Sequence, residues 1–235
     1  MNRRRGTTVD RSLAAGLLVL LLLGGSTRAD LAAAGQRAPV PSRWYVYRDG
    51  GSADNHGQWT FYLIDPTIPP DRVARTINRV LVPTLVSRPG PRDGATCARF
   101  DIQLQGEFQW VGIAVTGPAY RFGRPGVSFE RDGAFDLTGA RRLVFWARGE
   151  RGDEYIQIKA AVFGDVPNGD SARLPAATTW LPLTKAWSRY ALDVSTMNLT
   201  RVVSLFAFVV DRAHNPGGTL TFYLGDIYFE MDGAK

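Results

Sequence analysis

Tyr155, Gln157 and Lys159 are the residues whose types and spacing point most directly to chemistry. They alternate with Ile156, Ile158 and Ala160, so in a strand they stand together on the face opposite an apolar one. A ring beside an amide and an ammonium suits a sugar: the ring stacks on the C–H face of a pyranose, and the polar groups hydrogen-bond its hydroxyls. Trp110 and Trp146 are candidate stacking platforms for the same ligand. Trp180 and Trp187 are weighed with them, Trp187 as a structural residue.

Reactive constellations are poorly provided. The chain has no nucleophile elbow, no glycine-rich phosphate loop and no HExxH helix, and its single cysteine, Cys97, has no histidine near it. His56 and His214 fall in Asn55-His56-Gly57 and His214-Asn215-Pro216 and are read as exposed turn residues. Asp226, Glu230 and Asp232 share one parity near the C-terminus. In a strand Asp226 and Glu230 would stand about 13 Å apart, wider than the roughly 6.5 to 9.5 Å of an inverting glycosidase pair. Glu230 and Asp232 are closer, beside the chain end. A carboxylate pair assembled from different strands would make the chain a glycoside hydrolase or polysaccharide lyase, which stands as the enzymatic alternative.

The elements that must position these residues are strands. Trp44 to Tyr47, Trp59 to Ile64 and segments at 97–105, 109–116, 142–148, 154–163, 187–194, 202–210 and 219–230 are divided by Gly, Pro and Asp. Phe100, Ile102 and Leu104 alternate with Asp101, Gln103 and Gln105, and the 155–162 alternation extends to Val162. Those two apolar sets are expected in one core. Segments 142–147 and 202–210 are apolar on both faces and are expected as central strands. Pro70 and Asp71 open a single helix, with Val73, Ile77, Val80 and Leu81 on one side and Arg72, Arg75 and Arg79 on the other, and Pro83 as its stop. If that helix docked a partner it would show an exposed apolar stripe, the mark of a cell-envelope interaction module. The reading preferred is a cap on an open sandwich end. The rhythm predicts an all-β fold, a two-sheet antiparallel β-sandwich of jelly-roll type with one short helix.

Residues 1–29 read as a secretory signal: Arg3, Arg4 and Arg5 precede the apolar run Leu13 to Leu23, and Thr27-Arg28-Ala29 suits a signal peptidase. Residues 30–43 then form a leader and 44–232 the domain. The whole chain carries 28 Lys+Arg against 22 Asp+Glu, a net +6. Removing the signal takes away five arginines and one aspartate and leaves +2, with no basic run interleaved with aromatics. A nucleic-acid partner is therefore not expected, nor a membrane once the signal is cleaved.

From Phe135 to Glu230 the sequence resembles the galactose-binding-like jelly rolls that serve as carbohydrate-binding modules in secreted bacterial proteins. The stretches that carry the resemblance are FDLTGARRLVFWARG (135–149), LTKAWSRYALDVS (183–195) and TLTFYLGDIYFE (219–230). Gly225-Asp226 stands where similar sequences often carry two Asp, and residues 66–83 are unlike the usual second strand. The resemblance implies a non-catalytic domain, secreted or periplasmic, that binds a polysaccharide or other glycan on a sheet face. It also implies a structural calcium between the first and last strands, for which Asp49 and Asp226 are the candidate ligands.

The export reading predicts a mature chain beginning near Asp30 in the envelope or medium fraction. N-terminal sequencing that finds an intact Met1 in the cytoplasm would refute it.

Overall fold

The computed structural model describes residues 43–50, 52–86, 96–117, 133–164 and 166–232; the signal segment and the leader up to residue 42 lie outside them. Two antiparallel sheets face each other. The first contains β1 (Arg43–Tyr47), β3 (Leu81–Val86), β4 (Cys97–Gln103), β6 (Ala140–Gly149), β10 (Ser188–Asp193) and β12 (Thr219–Met231), in the order β10-β6-β12-β4-β3 with β1 also on β12. The second contains β2 (Gln58–Ile64), β5 (Trp110–Thr116), β7 (Tyr155–Ala160), β8 (Ala176–Ala177), β9 (Leu181–Pro182) and β11 (Ser204–Asp211), in the order β2-β5-β11-β7-β8 with β9 also on β7.

Central position follows apolar content, as the sequence predicts. Strand β6 lies between β10 and β12, and β11 between β5 and β7. The 13 residues of β12 serve two partners along one edge: Thr219 to Leu224 pair with β4, and Ile227 to Glu230 pair with β1. A bulge marks the exchange, and Asp226 sits in it with φ 51°.

Alternation sends Ile156, Ile158 and Ala160 into one core with Phe100, Ile102 and Leu104. Val162 departs from the expected set. Strand β7 ends at Ala160, Ala161 turns into the left-handed region at φ 54°, and the reversed parity packs Val162 into a second cluster with Ala114, Phe163, Val203 and Ala207. Aromatic rings bridge the two sheets in the main core: Phe100 of β4 meets Phe208 of β11 at 4.7 Å, and Phe208 meets Phe222 of β12 at 5.0 Å.

The helix α1 (Pro70–Val80) starts where Pro70 is tolerated, carries Asp71 in its first turn and Arg79 in its last, and buries Ile77 and Val80. Its polar side makes ion pairs from Arg72 to Glu107 and from Arg75 to Asp71. The apolar stripe faces the core, which suits a cap and not a docking helix. Pro83 does not end it. The chain is already extended at Leu81, and Pro83 lies inside β3, an edge strand where a missing N–H is harmless.

Tyr47, at the end of β1, is buried with its ring 5.8 Å from that of Trp59. Burial pushes its phenol up to about 12, with the Thr96 hydroxyl pulling weakly the other way. That hydroxyl accepts the Gly50 N–H at 2.6 Å, and the Tyr47 oxygen closes no hydrogen bond of normal geometry among the described residues. The folded chain thus keeps a proton that an unfolded phenol gives up near pH 10, so stability is lost as pH rises from about 10 through about 12. Tyr47→Phe removes both the titration and the unpaired hydroxyl. We expect its denaturation midpoint to fall less steeply than the parent's over this alkaline range, with stability at neutral pH equal or higher. Equal alkaline slopes would show that Tyr47 does not titrate there.

Candidate functional site

The core decides which side chains of the second sheet face outward. Phe206, Phe208 and Val210 point into the sandwich, so Ala207, Val209 and Asp211 point away from it. Pairing aligns the neighbours in rows: Lys159 and Ala114 flank Ala207, Gln157 and Gly112 flank Val209, and Trp110 lies beside Asp211. Gly112 is required in its row, because a Cβ there would lie 2.2 Å from the Phe208 carbonyl oxygen.

A groove of about 450 Å³ opens over these rows, with Val209 and Ala213 as apolar floor, Trp110 and Trp180 as aromatic lining, and Gln109, Gln157, Lys159, Asp211 and Arg212 as polar groups. At about 4.8 Å between strands, β5 and β7 set the sides of this floor roughly 10 Å apart. The second cluster, which includes Ala207, covers the same sheet face at the Lys159 row and bounds the groove there.

Asp65 lies beside Trp110, and its carboxyl lies below the usual range chiefly because the Thr67 hydroxyl and amide donate to it. Trp180 stacks on His214 with ring centroids 4.0 Å apart and planes 18° from parallel. The His214 ring nitrogen Nδ1 lies 2.8 Å from Asp211 Oδ1, and the His214 amide donates to the same oxygen at 2.8 Å. Beneath them, buried Asn215 accepts the Tyr155 N–H at 3.0 Å and donates to the carbonyls of Tyr155 at 2.9 Å and Asp211 at 3.1 Å. Gln157 donates to the Thr178 carbonyl at 3.0 Å, and its amide oxygen has no partner among the described residues.

Of the sequence candidates, the structure brings Trp110, Gln157 and Lys159 together. Tyr155 shares their face but lies outside the groove lining, its half-buried ring tilted 6.3 Å from that of His214. Trp146 is not near them. It belongs to β6, on the outer face of the first sheet, paired with Arg189 and Gly225. Trp180 was one tryptophan among several in the sequence, and Asp211 and Arg212 carried no signal beyond an acid and a base ending an apolar run. His56 and His214 lie in a loop and a turn as expected, but they are half-buried and stacked, on Trp44 at 4.3 Å and on Trp180, and are not exposed.

The acids of the last strand are spent on structure. Glu230 pairs with Arg142 and Arg189 at 2.7 Å each, and Asp232 pairs with Arg141. Asp211 is the one carboxylate lining the groove among the described residues. The calcium candidates fit an ion poorly. Asp49 lies in the turn after β1, where its carbonyl accepts the Asn55 amide, and the charged groups that feel Asp226 are the guanidiniums of Arg43 and Arg48. Among the described residues no three His, Cys, Asp or Glu side chains gather, whereas calcium takes 6 to 8 oxygens.

No protein-family model matches the chain, and no curated protein matches it in sequence. Solved structures do. A family 30 carbohydrate-binding module superposes with a TM-score of 0.50 at 14% identity, covering 82% of this chain and 90% of the module. The family 30 carbohydrate-binding module of a cellulosomal cellulase of Clostridium thermocellum gives 0.50 at 13% identity, covering 81% of this chain and 98% of the module. At such identity the likeness concerns the fold, and it establishes the two-sheet sandwich expected from the sequence.

The boundary of the groove at the Lys159 row depends on one buried acid. Asp170, 3% exposed, accepts the amides of Phe163 at 2.8 Å, Val203 at 2.6 Å and Ser204 at 3.0 Å, and the Ser204 hydroxyl at 2.7 Å. Asp170→Ala leaves three buried amides and the Ser204 hydroxyl without this acceptor, at about 1 to 3 kcal/mol for each amide, so urea melts should show a loss of about 3 kcal/mol or more. Asp170→Asn should recover little of it, since its NH₂ would face donors on one side. A loss under about 1 kcal/mol for the alanine variant would mean that these bonds do not anchor the segment.

Proposed function

We propose that the chain is an exported, non-catalytic domain that binds a polysaccharide in the groove on the outer face of the second sheet. The observation that carries this reading is the pair of indoles, Trp110 and the His214-stacked Trp180, lining a shallow apolar floor edged by two amides, two cations and an acid. Sugar rings present apolar C–H faces between rims of hydroxyls, and this lining offers a surface for each. The groove volume lies within the roughly 300 to 1,000 Å³ common for ligand sites. The fold shared with family 30 carbohydrate-binding modules supports the same reading.

Binding suits the groove better than hydrolysis does. Glycoside hydrolysis commonly needs two carboxylates flanking the scissile bond, and among the described residues Asp211 is the single acid in the lining, engaged with the His214 ring and amide. The apolar leader sequence, Leu13 to Leu23, supports export to the envelope or medium, where such ligands occur.

The test is a glycan-array screen followed by calorimetry on the ligand it identifies. Trp110→Ala and Trp180→Ala should each lower affinity about three- to tenfold or more, as the loss of one aromatic contact does. Trp146→Ala, on the opposite sheet, should bind as the parent does. If Trp146→Ala weakened binding while both groove variants bound normally, the site would be on the other face.

A further inference from the structure

We propose that the groove selects an acidic glycan, one whose sugar rings bear carboxylate or sulfate groups; this rests on the polysaccharide-binding reading above. The described lining carries two cations, Lys159 and Arg212, against one carboxylate, Asp211. Lys159 and Arg212 both line the groove, and neither makes an ion pair among the described residues. The outer face of the first sheet differs: Arg99 is paired with Asp101, Arg142 and Arg189 with Glu230, and Arg148 with Glu150.

Among the described residues, no carboxylate is set against either cation. Across the sheet from Lys159 stand Ala207 on one side and Ala177 on the other, so no carboxylate faces it in its row. Arg212 follows Asp211, but that carboxylate is turned to the His214 ring and amide. Asp65, the acid beside Trp110, already accepts from the Thr67 amide and hydroxyl. A neutral sugar laid over this lining would desolvate two cations and return no charge to either. An anionic ring returns it through a charge-assisted hydrogen bond, and apolar walls strengthen the attraction.

Spacing narrows the ligand further. From the Lys159 row to the Asp211 row is four residues along β11, or about 13 Å at roughly 3.3 Å per residue. The two cations therefore stand toward opposite ends of the groove, with Val209 and Gln157 between them. A chain charged at repeated rings meets both, and a single charged end group meets one.

The test compares ligands that differ only in charge. Binding of the processed chain is measured to polygalacturonate and to its methyl ester, to dextran sulfate and to dextran, and to cellohexaose. Preference for polygalacturonate over its ester assigns the carboxylate, and preference for dextran sulfate over dextran with no binding of polygalacturonate assigns the sulfate ester. In either case Lys159→Gln and Arg212→Gln should each weaken binding about tenfold, the scale of one charge-assisted hydrogen bond. Arg75→Gln, on the polar side of α1, should leave it unchanged; an equal loss there would reduce the effect to non-specific attraction and overturn the proposal. Cellohexaose binding that needs Trp180 but is indifferent to Lys159→Gln and Arg212→Gln would overturn it while leaving the groove standing. Glycan binding that survives Trp110→Ala and Trp180→Ala, or no binding to any of the five, would remove the groove reading and this one together.

Discussion

The packing of Phe100 and Phe222 from one sheet against Phe206 and Phe208 from the other is the constraint on which the rest of the structure depends. Phe100 stacks on Phe222 at 5.2 Å and meets Phe208 edge-on, while Phe206 meets Phe145 of β6 at 5.8 Å. These rings commit alternate positions of β11 to the interior. Because side chains in a strand alternate, the same commitment turns Ala207, Val209 and Asp211 outward as the floor of the groove. A register slip of one residue would bring phenylalanine to the surface and bury Asp211. Core and site are thus two faces of one strand, and the energy that fixes the first fixes the second.

The two outer faces of the sandwich finish differently. On the first sheet, arginines lie over aromatic rings, Arg43 over Tyr228 at 4.9 Å and Arg148 over Tyr223 at 4.1 Å, and ion pairs run across the strands. Guanidinium groups there cover apolar surface with their own contacts. Trp146 belongs to that closed face. On the second sheet the central rows carry Gly112, Ala114, Ala207 and Val209, and small side chains leave space above the backbone. The cavity arises where the sheet carries little bulk, and large residues stand only at its margins.

Much of the fold was legible in the sequence because its signals are local. The alternation in 155–160 and 100–104, the apolar central strands and the Pro70 helix start each rest on neighbouring residues. What was not legible depends on pairing at a distance. Pro83 reads as a stop, and only the edge position of β3 makes it acceptable in a strand. Val162 reads as the next inward residue, and only the left-handed Ala161 reverses it. Trp110 and Trp146 look alike in sequence, and what separates them is the sheet to which each strand belongs. The site was half legible for the same reason: Gln157 and Lys159 share a strand, whereas Trp180, Asp211 and Arg212 reach the groove from other segments.

The segments that complete the groove are held by polar contacts that the core does not provide. The Asp211–His214 pair supports the Trp180 indole from the turn after β11, and Thr67 fixes the Asp65 carboxylate beside Trp110 at the end of β2. Asn215 ties that turn to β7 by bonding both backbone groups of Tyr155, much as a further strand residue would. Ordering a rotamer-rich side chain on binding costs roughly 0.5 to 1.5 kcal/mol, a sizeable share of what one stacking contact returns. With the Trp180 ring already positioned in the free domain, the proposed polysaccharide site would meet that cost for it on folding, so that the hydrogen bonds of Asp211 and Asn215 would support affinity without either residue stacking on a ligand.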